Sequence, residues 1–178
     1  CLQVTVFTEA MGGAEQRLRD GAARLAFCFP LPGVTDHRES EFLVRIPMVP
    51  VVAADHPLAA LPGPVTRADL EKELQLVLTD RTPVSNGLTG GIVSFRTWRF
   101  ADLMTRLEFL LDGFGWCNMP AHMIEPYLAS GALRRLELKG QAPYSIALHV
   151  VHRRGHAPGV AGRWMIEQLR KELGSATG

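Results

Sequence analysis

Polar side chains gather at three places where a predicted strand ends and a helix or loop begins. These places are residues 8–13, 79–86 and 100–103. In open α/β sheets, ligands bind beyond the carboxyl ends of the strands, where backbone N–H groups at helix N-termini suit anions. The hydroxyl, amide and guanidinium groups in these segments can hold a small carboxylate or a similar polar molecule. The same residue types also satisfy turns and caps, so the pattern leaves both roles open.

Glu9 is the carboxylate with the most suggestive position. It ends a predicted strand just before Gly12 and Gly13, which open a helix. A carboxylate is favourable near the positive end of a helix dipole, so a helix-entry role is favoured over a ligand contact.

Residues of catalytic or metal-binding type do not form a recognisable constellation. The sequence lacks the GxSxG, GxGxxG and GxxxxGK[ST] motifs. The run HVVHRRGH at residues 149–156 is rich in histidine, but His149 and His152 would point to opposite faces of a strand. The zinc-binding pattern HExxH is also absent. We therefore expect no catalytic site, no metal site and no cofactor.

Composition narrows the class of protein. The chain has 178 residues, 47% of them apolar, enough to bury a core as one domain or two small ones. Its net charge of +1 does not indicate a nucleic-acid-binding face. No apolar run approaches the roughly 18 residues of a membrane helix, so no membrane partner is expected. Because the chain starts at Cys1 without a methionine, we interpret it as a piece of a longer protein.

Cysteine usage indicates a reducing compartment. Cys1, Cys28 and Cys117 are odd in number and lack CxxC spacing, which argues against a disulfide framework. Cys28 and Cys117 lie in apolar runs, where a small buried hydrophobic side chain is the favoured interpretation.

Hydrophobic periodicity predicts strands that alternate with helices. Strands are expected at 2–10, 23–30, 42–53, 74–79, 92–100, 115–120, 132–138 and 144–152. Helices are expected near 13–20, 66–74, 102–113, 120–130 and 160–173. Such alternation is typical of mostly parallel sheets covered by helices.

Short-range signals predict where several helices begin and end. Thr66 and Asp102 are candidate N-caps, each followed three residues later by a polar partner. Gly113 suits the left-handed position after a helix. Pro126 is expected to bend or interrupt the helix in which it lies.

Five segments, in this order, resemble the effector-binding domain of LysR-type bacterial transcriptional regulators. They are TEAMGGAEQRLRDGAARLAF, ADHPLAALPGPVTRADL, LQLVLTD, RTWRFADLMTRLEFLLDGFGWCNMPAHMIEPYLASGALRRLEL and GVAGRWMIEQLR. The resemblance implies an α/β fold of the periplasmic-binding-protein type 2 kind, with two α/β subdomains joined by two crossover strands. Subdomain I would be 1–50 and 151–178, with its first strand and helix missing, and subdomain II would be 51–150.

The resemblance also implies a function and a site. The domain would bind a small anionic or polar effector in the cleft between subdomains and modulate transcription. It would form a homodimer or homotetramer in the cytoplasm, with DNA bound only by an N-terminal winged helix-turn-helix that this chain lacks. The implied effector-binding residues are Thr8, Glu9, Met11, Gly12, Phe29, Pro30, Thr79, Arg81, Thr82, Pro83, Ser85 and Trp98.

Two other functions share this fold and stay open. A solute-binding protein for transport would be favoured by a preceding secretion signal or a neighbouring permease gene. An enzyme, such as a deaminase or a prephenate-dehydratase-like protein, would be favoured by turnover of a small acid. Changing Thr79, Arg81 or Thr82 should abolish that turnover.

Overall fold

The computed structural model describes residues 3–10, 12–30, 37–79 and 91–175, with side chains through residue 173. The α-helices are α1 (Gly13–Arg19), α2 (Arg67–Lys72), α3 (Leu103–Leu111), α4 (Ala121–Ala129) and α5 (Val160–Ser175), and a 3-10 helix spans Pro57–Ala60. The strands are β1 (Ala26–Cys28), β2 (Arg38–Ala53), β3 (Leu74–Leu78), β4 (Arg96–Phe100), β5 (Cys117–Pro120), β6 (Leu133–Arg135) and β7 (Tyr144–Arg153).

The pairings of known direction in the larger sheet are antiparallel, so the prediction of mostly parallel sheets is wrong for them. Its order is β1-β7-β2-β5, with β6 also pairing with β2. Strand β1 runs antiparallel to β7, and β5 and β6 run antiparallel to β2. The reason is that two long strands, β2 and β7, run between the units and pair with the shorter strands. The alternation of short strands and helices in the sequence does not reveal this pairing. The predicted parallel pairing is found between β3 and β4.

The chain divides into two compact units. Unit 1 runs up to Arg45 and resumes at Ala147, and unit 2 contains Ile46–Thr79 and the stretch from Gly91 to Ile146. Strand β2 carries the chain from unit 1 into unit 2, and β7 carries it back. These limits differ by a few residues from the boundaries at 50 and 150 expected from the sequence, which stay a prediction.

The described residues of unit 2 form two apolar clusters, and β2 contributes to both. Val51 and Val52 are each fully buried, but they belong to different clusters because successive side chains of a strand point to opposite faces. The first cluster contains Val49, Val51, Leu76, Leu107, Leu110, Cys117, Met119, Ile124 and Leu133. The second contains Val52, Leu58, Val65, Leu70, Trp116 and Leu136.

Unit 1 has a smaller cluster, in which α1 packs on β1. It contains Leu18, Ala26, Cys28 and Val151. The strand predicted at 2–10 is wrong where the structure describes it, because residues 3–10 form no strand. An apolar alternating segment needs a partner edge to become a strand, and none of the described strands pairs with it. Val6 in this segment is consequently 81% exposed.

The predicted signals at Thr66, Asp102 and Gly113 are confirmed. Thr66 and Asp69 form a capping box, and the carboxylate of Asp102 accepts a hydrogen bond from the backbone N–H of Thr105 at 2.7 Å. Gly113 follows α3 with φ of +79°, in the left-handed region that favours glycine. Helix α4 continues through Pro126 to Ala129, so this proline does not interrupt it.

Candidate functional site

The carboxyl ends of three parallel segments lie at one edge of unit 2. Strands β3 and β4 pair in parallel and end together, with Leu78 opposite Phe100. The backbone N–H of Thr79 then donates to the carbonyl oxygen of Phe100 at 2.7 Å. A parallel bridge between Gln75 and Trp116 brings the chain leading into β5 alongside β3 in the same direction. Such edges are where open α/β sheets bind ligands.

The start of α3 lies at this same edge, because only Ala101 and Asp102 separate it from β4. Asp102 accepts hydrogen bonds from both the backbone N–H and the hydroxyl of Thr105, at 2.7 and 2.9 Å. Of the predicted site residues, Thr79 therefore lies at the edge and beside the start of a helix.

Trp98 lies within β4, and its ring faces α3. The ring centroid is 5.4 Å from that of Phe114 and 6.0 Å from that of Phe109. Phe100 joins the same aromatic group, 5.0 Å from Phe109. Trp98 is still 44% exposed, so packing against α3 leaves a large part of its ring accessible.

Arg106 is a buried cation at this edge that the sequence analysis missed. It is 6% exposed, and its Nη2 donates to the backbone oxygen of Asn118 at 3.0 Å, near the carboxyl end of β5. Its Nε has no hydrogen-bond partner within the described ranges. Nor does any described carboxylate come within ion-pairing distance of the guanidinium. A buried charge without a counter-charge costs several kcal/mol.

A sequence signal for Arg106 does exist. It falls three residues after Leu103 and four before Leu110, so it lies on the apolar stripe of α3. Charged residues on such a stripe are unusual and are normally paired when buried. The guanidinium also affects its neighbours. Burial raises the pKa of Tyr144, and nearby Arg106 partly offsets that rise.

In unit 1, the predicted residues Glu9 and Gly12 lie at the amino end of α1. The carboxylate of Glu9 pairs with the guanidinium of Arg17 at 2.6 Å. Arg17 also covers the ring of Phe7, with 4.2 Å between its Cζ and the ring centroid. Gly12 is buried and is the N-cap residue. The charge of Glu9 is thus paired within unit 1. Together, the contacts of Arg17 with Glu9 and Phe7 hold residues 7–9 against α1.

The remaining predicted residues are less constrained or are not described. Thr8 is exposed outside regular structure, whereas Phe29 and Pro30 follow β1 and are half-buried. Met11, Arg81, Thr82, Pro83 and Ser85 lie outside the described residues, and their roles stay predictions. In the described part of the chain, no three His, Cys, Asp or Glu side chains could together hold a metal ion. Across the same residues, no helix has the length and hydrophobicity needed to span a membrane.

Comparison with known families identifies the domain. Residues 1–174 match the profile of the LysR substrate binding domain. The chain belongs to this family. It is 25% identical to the probable HTH-type transcriptional regulator YhaJ of Escherichia coli and 25% identical to the HTH-type transcriptional regulator AceR of Acinetobacter baumannii, covering 95% and 96% of this chain. It spans just over half of these relatives, 56% of YhaJ and 57% of AceR.

Solved structures of the same family confirm the predicted α/β fold of the periplasmic-binding-protein type 2 kind. The effector binding domain of QuiR in complex with shikimate superimposes with a TM-score of 0.70 over 94% of this chain and 79% of that one, at 16% identity. The CcmR regulatory domain of Synechocystis in complex with 2-PG gives a TM-score of 0.67 over 88% and 76% of the two chains, at 18% identity. The regulatory domain of MetR from N. meningitidis gives 0.68 over 91% and 76%, also at 18% identity.

Proposed function

We propose that this LysR substrate-binding domain senses a small acidic effector and thereby regulates transcription. The buried guanidinium of Arg106 is the observation that favours an anionic effector. It lies at the sheet edge where ligands are expected, and no described carboxylate forms an ion pair with it. The carboxylate or phosphate group of an effector would supply that charge, because guanidinium groups pair well with both.

Its relatives support the regulatory part of this proposal. YhaJ and AceR are transcriptional regulators, and QuiR and CcmR have domains solved in complex with small molecules. In the full-length protein, DNA would be bound by a region outside this chain, and the domain would act without catalysis as a cytoplasmic homodimer or homotetramer. The effector would shift the equilibrium between two arrangements of the protein through its different affinity for each.

A thermal-shift screen with two matched variants tests the proposal. The panel contains small carboxylates, phosphorylated metabolites, and neutral analogues of the same size. We expect an acidic compound to raise the melting temperature of the wild-type domain and its neutral analogue to have no effect. Arg106→Met keeps the length of the side chain but removes the charge, so it should abolish that rise. Without ligand, this variant should be as stable as the wild type or more so, because a buried unpaired charge is removed.

The control is Arg134→Met, which removes an exposed guanidinium from β6 in the same unit. This variant should respond to the acidic compound as the wild type does. Stabilisation of Arg106→Met equal to that of the wild type would reject the anion site at Arg106. Failure of every acid in the panel to stabilise the wild type would reject effector sensing by this domain.

A further inference from the structure

Unit 1 contains a cavity of about 450 Å³ that none of the predicted effector-binding residues lines. This volume falls in the range of cavities that hold small ligands. Its lining residues are Glu15, Leu18, Arg19, His37, Arg38 and Arg153. Among the described residues, three arginines and a histidine thus line one space, together with a single carboxylate.

Three elements bring these residues together. Helix α1 contributes Glu15, Leu18 and Arg19, whose spacing of three and four residues places them on one face. The start of β2 contributes Arg38, and the end of β7 contributes Arg153. A hydrogen bond of 3.0 Å from the backbone N–H of Arg154 to the carbonyl oxygen of His37 joins these two strand ends.

A buried ion pair forms one wall of the cavity. The Nη1 atom of Arg38 lies 2.9 Å from Oε1 of Glu15, and their side chains are 11% and 3% exposed. Burial strengthens the attraction between the two charges and limits the rotamers of both side chains. The charge of Arg38 is therefore balanced within the protein, and the wall is ordered before any ligand arrives.

The other two guanidinium groups have no such balance. Within the described ranges, neither Arg19 nor Arg153 lies within ion-pairing distance of a carboxylate. The nearest carboxylates along the chain are engaged elsewhere. Asp20 accepts a hydrogen bond from the amide of Gln16 at 2.8 Å. Glu39 lies 3.9 Å from the ring of His152 and accepts a hydrogen bond from the backbone N–H of Gly155.

Arg19 is also not needed to cap α1. The last carbonyl oxygens of this helix already accept hydrogen bonds from backbone N–H groups: Gln16 from Asp20, Leu18 from Gly21, and Arg17 from Ala23. The usual structural role of an arginine at a helix C-terminus is thus filled by the backbone. Among the described residues around the cavity, three guanidinium groups and one carboxylate leave two positive charges.

We infer that this cavity binds a phosphate group, at a site distinct from the proposed effector site in unit 2. A phosphate carries between one and a half and two negative charges at neutral pH, roughly matching the two unbalanced guanidinium groups. Guanidinium forks bind its oxygens in pairs, and the ring of His37 supplies a further donor or acceptor at the rim. Glu15 holds Arg38 in place and keeps the site from having excess positive charge.

The test is isothermal titration of the whole 178-residue chain with inorganic phosphate and with glycerol 3-phosphate, against chloride at the same ionic strength. We expect the wild type to bind at least one of the two probes with one site per chain. Arg19→Gln and Arg153→Gln should each weaken binding by about tenfold, as for loss of one charge-assisted contact. Tighter binding of glycerol 3-phosphate than of phosphate would identify a phosphomonoester as the ligand class. The reverse would identify the free ion.

Arg134→Gln, which removes one positive charge from unit 2, is the matched control and should bind as the wild type does. Circular dichroism should give the wild-type spectrum for all three variants, since Arg19 and Arg153 make no described ion pair. Two results would overturn the inference: no heat beyond the chloride control in the wild type, or equal binding by all three variants and the wild type. Retained phosphate binding in Arg106→Met separates this site from the proposed effector site.

Discussion

The two units of this domain are stabilised in different ways. Among the described residues, unit 2 has two apolar clusters of nine and six buried residues, whereas the cluster in unit 1 has four. Unit 1 instead concentrates ion pairs: Glu9 with Arg17, Glu15 with Arg38, Glu39 with His152 and Glu41 with Arg170. Exposed ion pairs contribute little to stability, while burial of apolar side chains is the dominant favourable contribution.

This difference predicts which unit opens more readily. In unit 2, the buried side chain of Arg106 donates a hydrogen bond to the backbone oxygen of Asn118 in β5, which limits its movement. Unit 1 buries fewer of its described apolar side chains in clusters than unit 2 does. Regions with few buried apolar contacts open at a lower free energy than the rest of a protein. Unit 1 should therefore open more often than unit 2, and phosphate binding would stabilise it.

The largest expected effect follows from a close approach of two backbone segments in unit 2. A Cβ atom added at Gly115 would lie 2.2 Å from the carbonyl oxygen of Leu74. This oxygen accepts the hydrogen bond from the backbone N–H of Trp116, so it cannot move without loss of that bond. We expect Gly115→Ala to lower the free energy of unfolding of unit 2 by about 3 kcal/mol or more. Hydrogen exchange read by mass spectrometry measures this unit by unit.

Gly63 provides the matched control, because an added Cβ there meets no atom within 4 Å. Gly63→Ala should change the free energy of unfolding by less than about 0.5 kcal/mol. If Gly115→Ala destabilised unit 2 as little as Gly63→Ala does, the two backbone segments would not be packed as tightly as described.

Gly115 also illustrates which parts of the fold the sequence predicts. The caps at Thr66 and Asp102 and the turn at Gly113 depend on partners within a few residues, and they were predicted correctly. The requirement at Gly115 depends on Leu74, which is far away along the chain. The strand predicted at 2–10 failed for the same reason, since strand formation depends on a distant pairing partner.

The candidate site shows the same limit. Polar residues at strand ends indicated where a ligand-binding edge would lie, and Thr79 lies at one. Arg106 was missed because its burial comes from packing against β5, twelve residues further on. The basic cavity in unit 1 was missed because Arg19, Arg38 and Arg153 come from three separate elements. A charge cluster formed by residues that are far apart in the sequence cannot be recognised from patterns of adjacent residues.

An intermediate effect is expected for the two described cysteines, because one lies in each unit. Cys28 in unit 1 and Cys117 in unit 2 are both buried, and burial raises the pKa of each thiol to about 11. Their thiolate fractions are therefore similarly low in the folded domain. Because each buried thiol reacts only when its unit opens, the ratio of the two alkylation rates reports how often each unit opens. We expect Cys28 to react about tenfold faster than Cys117 at mildly alkaline pH, corresponding to about 1.4 kcal/mol.

This measurement uses a Cys1→Ser background and N-ethylmaleimide, with the two modified peptides quantified by mass spectrometry. In concentrated urea the two cysteines should react at the same rate, which provides the control. Equal rates in the native domain, or faster reaction of Cys117, would contradict the proposed difference in stability between the units.

The smallest expected effect concerns acid and is specific to unit 2. His56 is 5% exposed and is the N-cap of the 3-10 helix Pro57–Ala60, where its Nδ1 accepts the backbone N–H of Leu58 at 3.2 Å. Burial lowers the pKa of His56, although Glu73 and Asp55 oppose this shift. The unfolded chain takes up the proton first, near the ordinary pKa of about 6.5. Stability should therefore be unaffected above that pH and should fall as the pH drops from there towards the lowered folded-state pKa.

His56→Asn isolates this contribution, because asparagine retains an N-cap acceptor but does not titrate. Between about pH 7.5 and pH 5.5, the melting temperature of the wild type should fall more than that of the variant. His122→Asn, which replaces an exposed histidine of α4 in the same unit, should retain the wild-type dependence on pH. Parallel curves for the wild type and His56→Asn would show that the buried ring of His56 does not make unit 2 sensitive to acid.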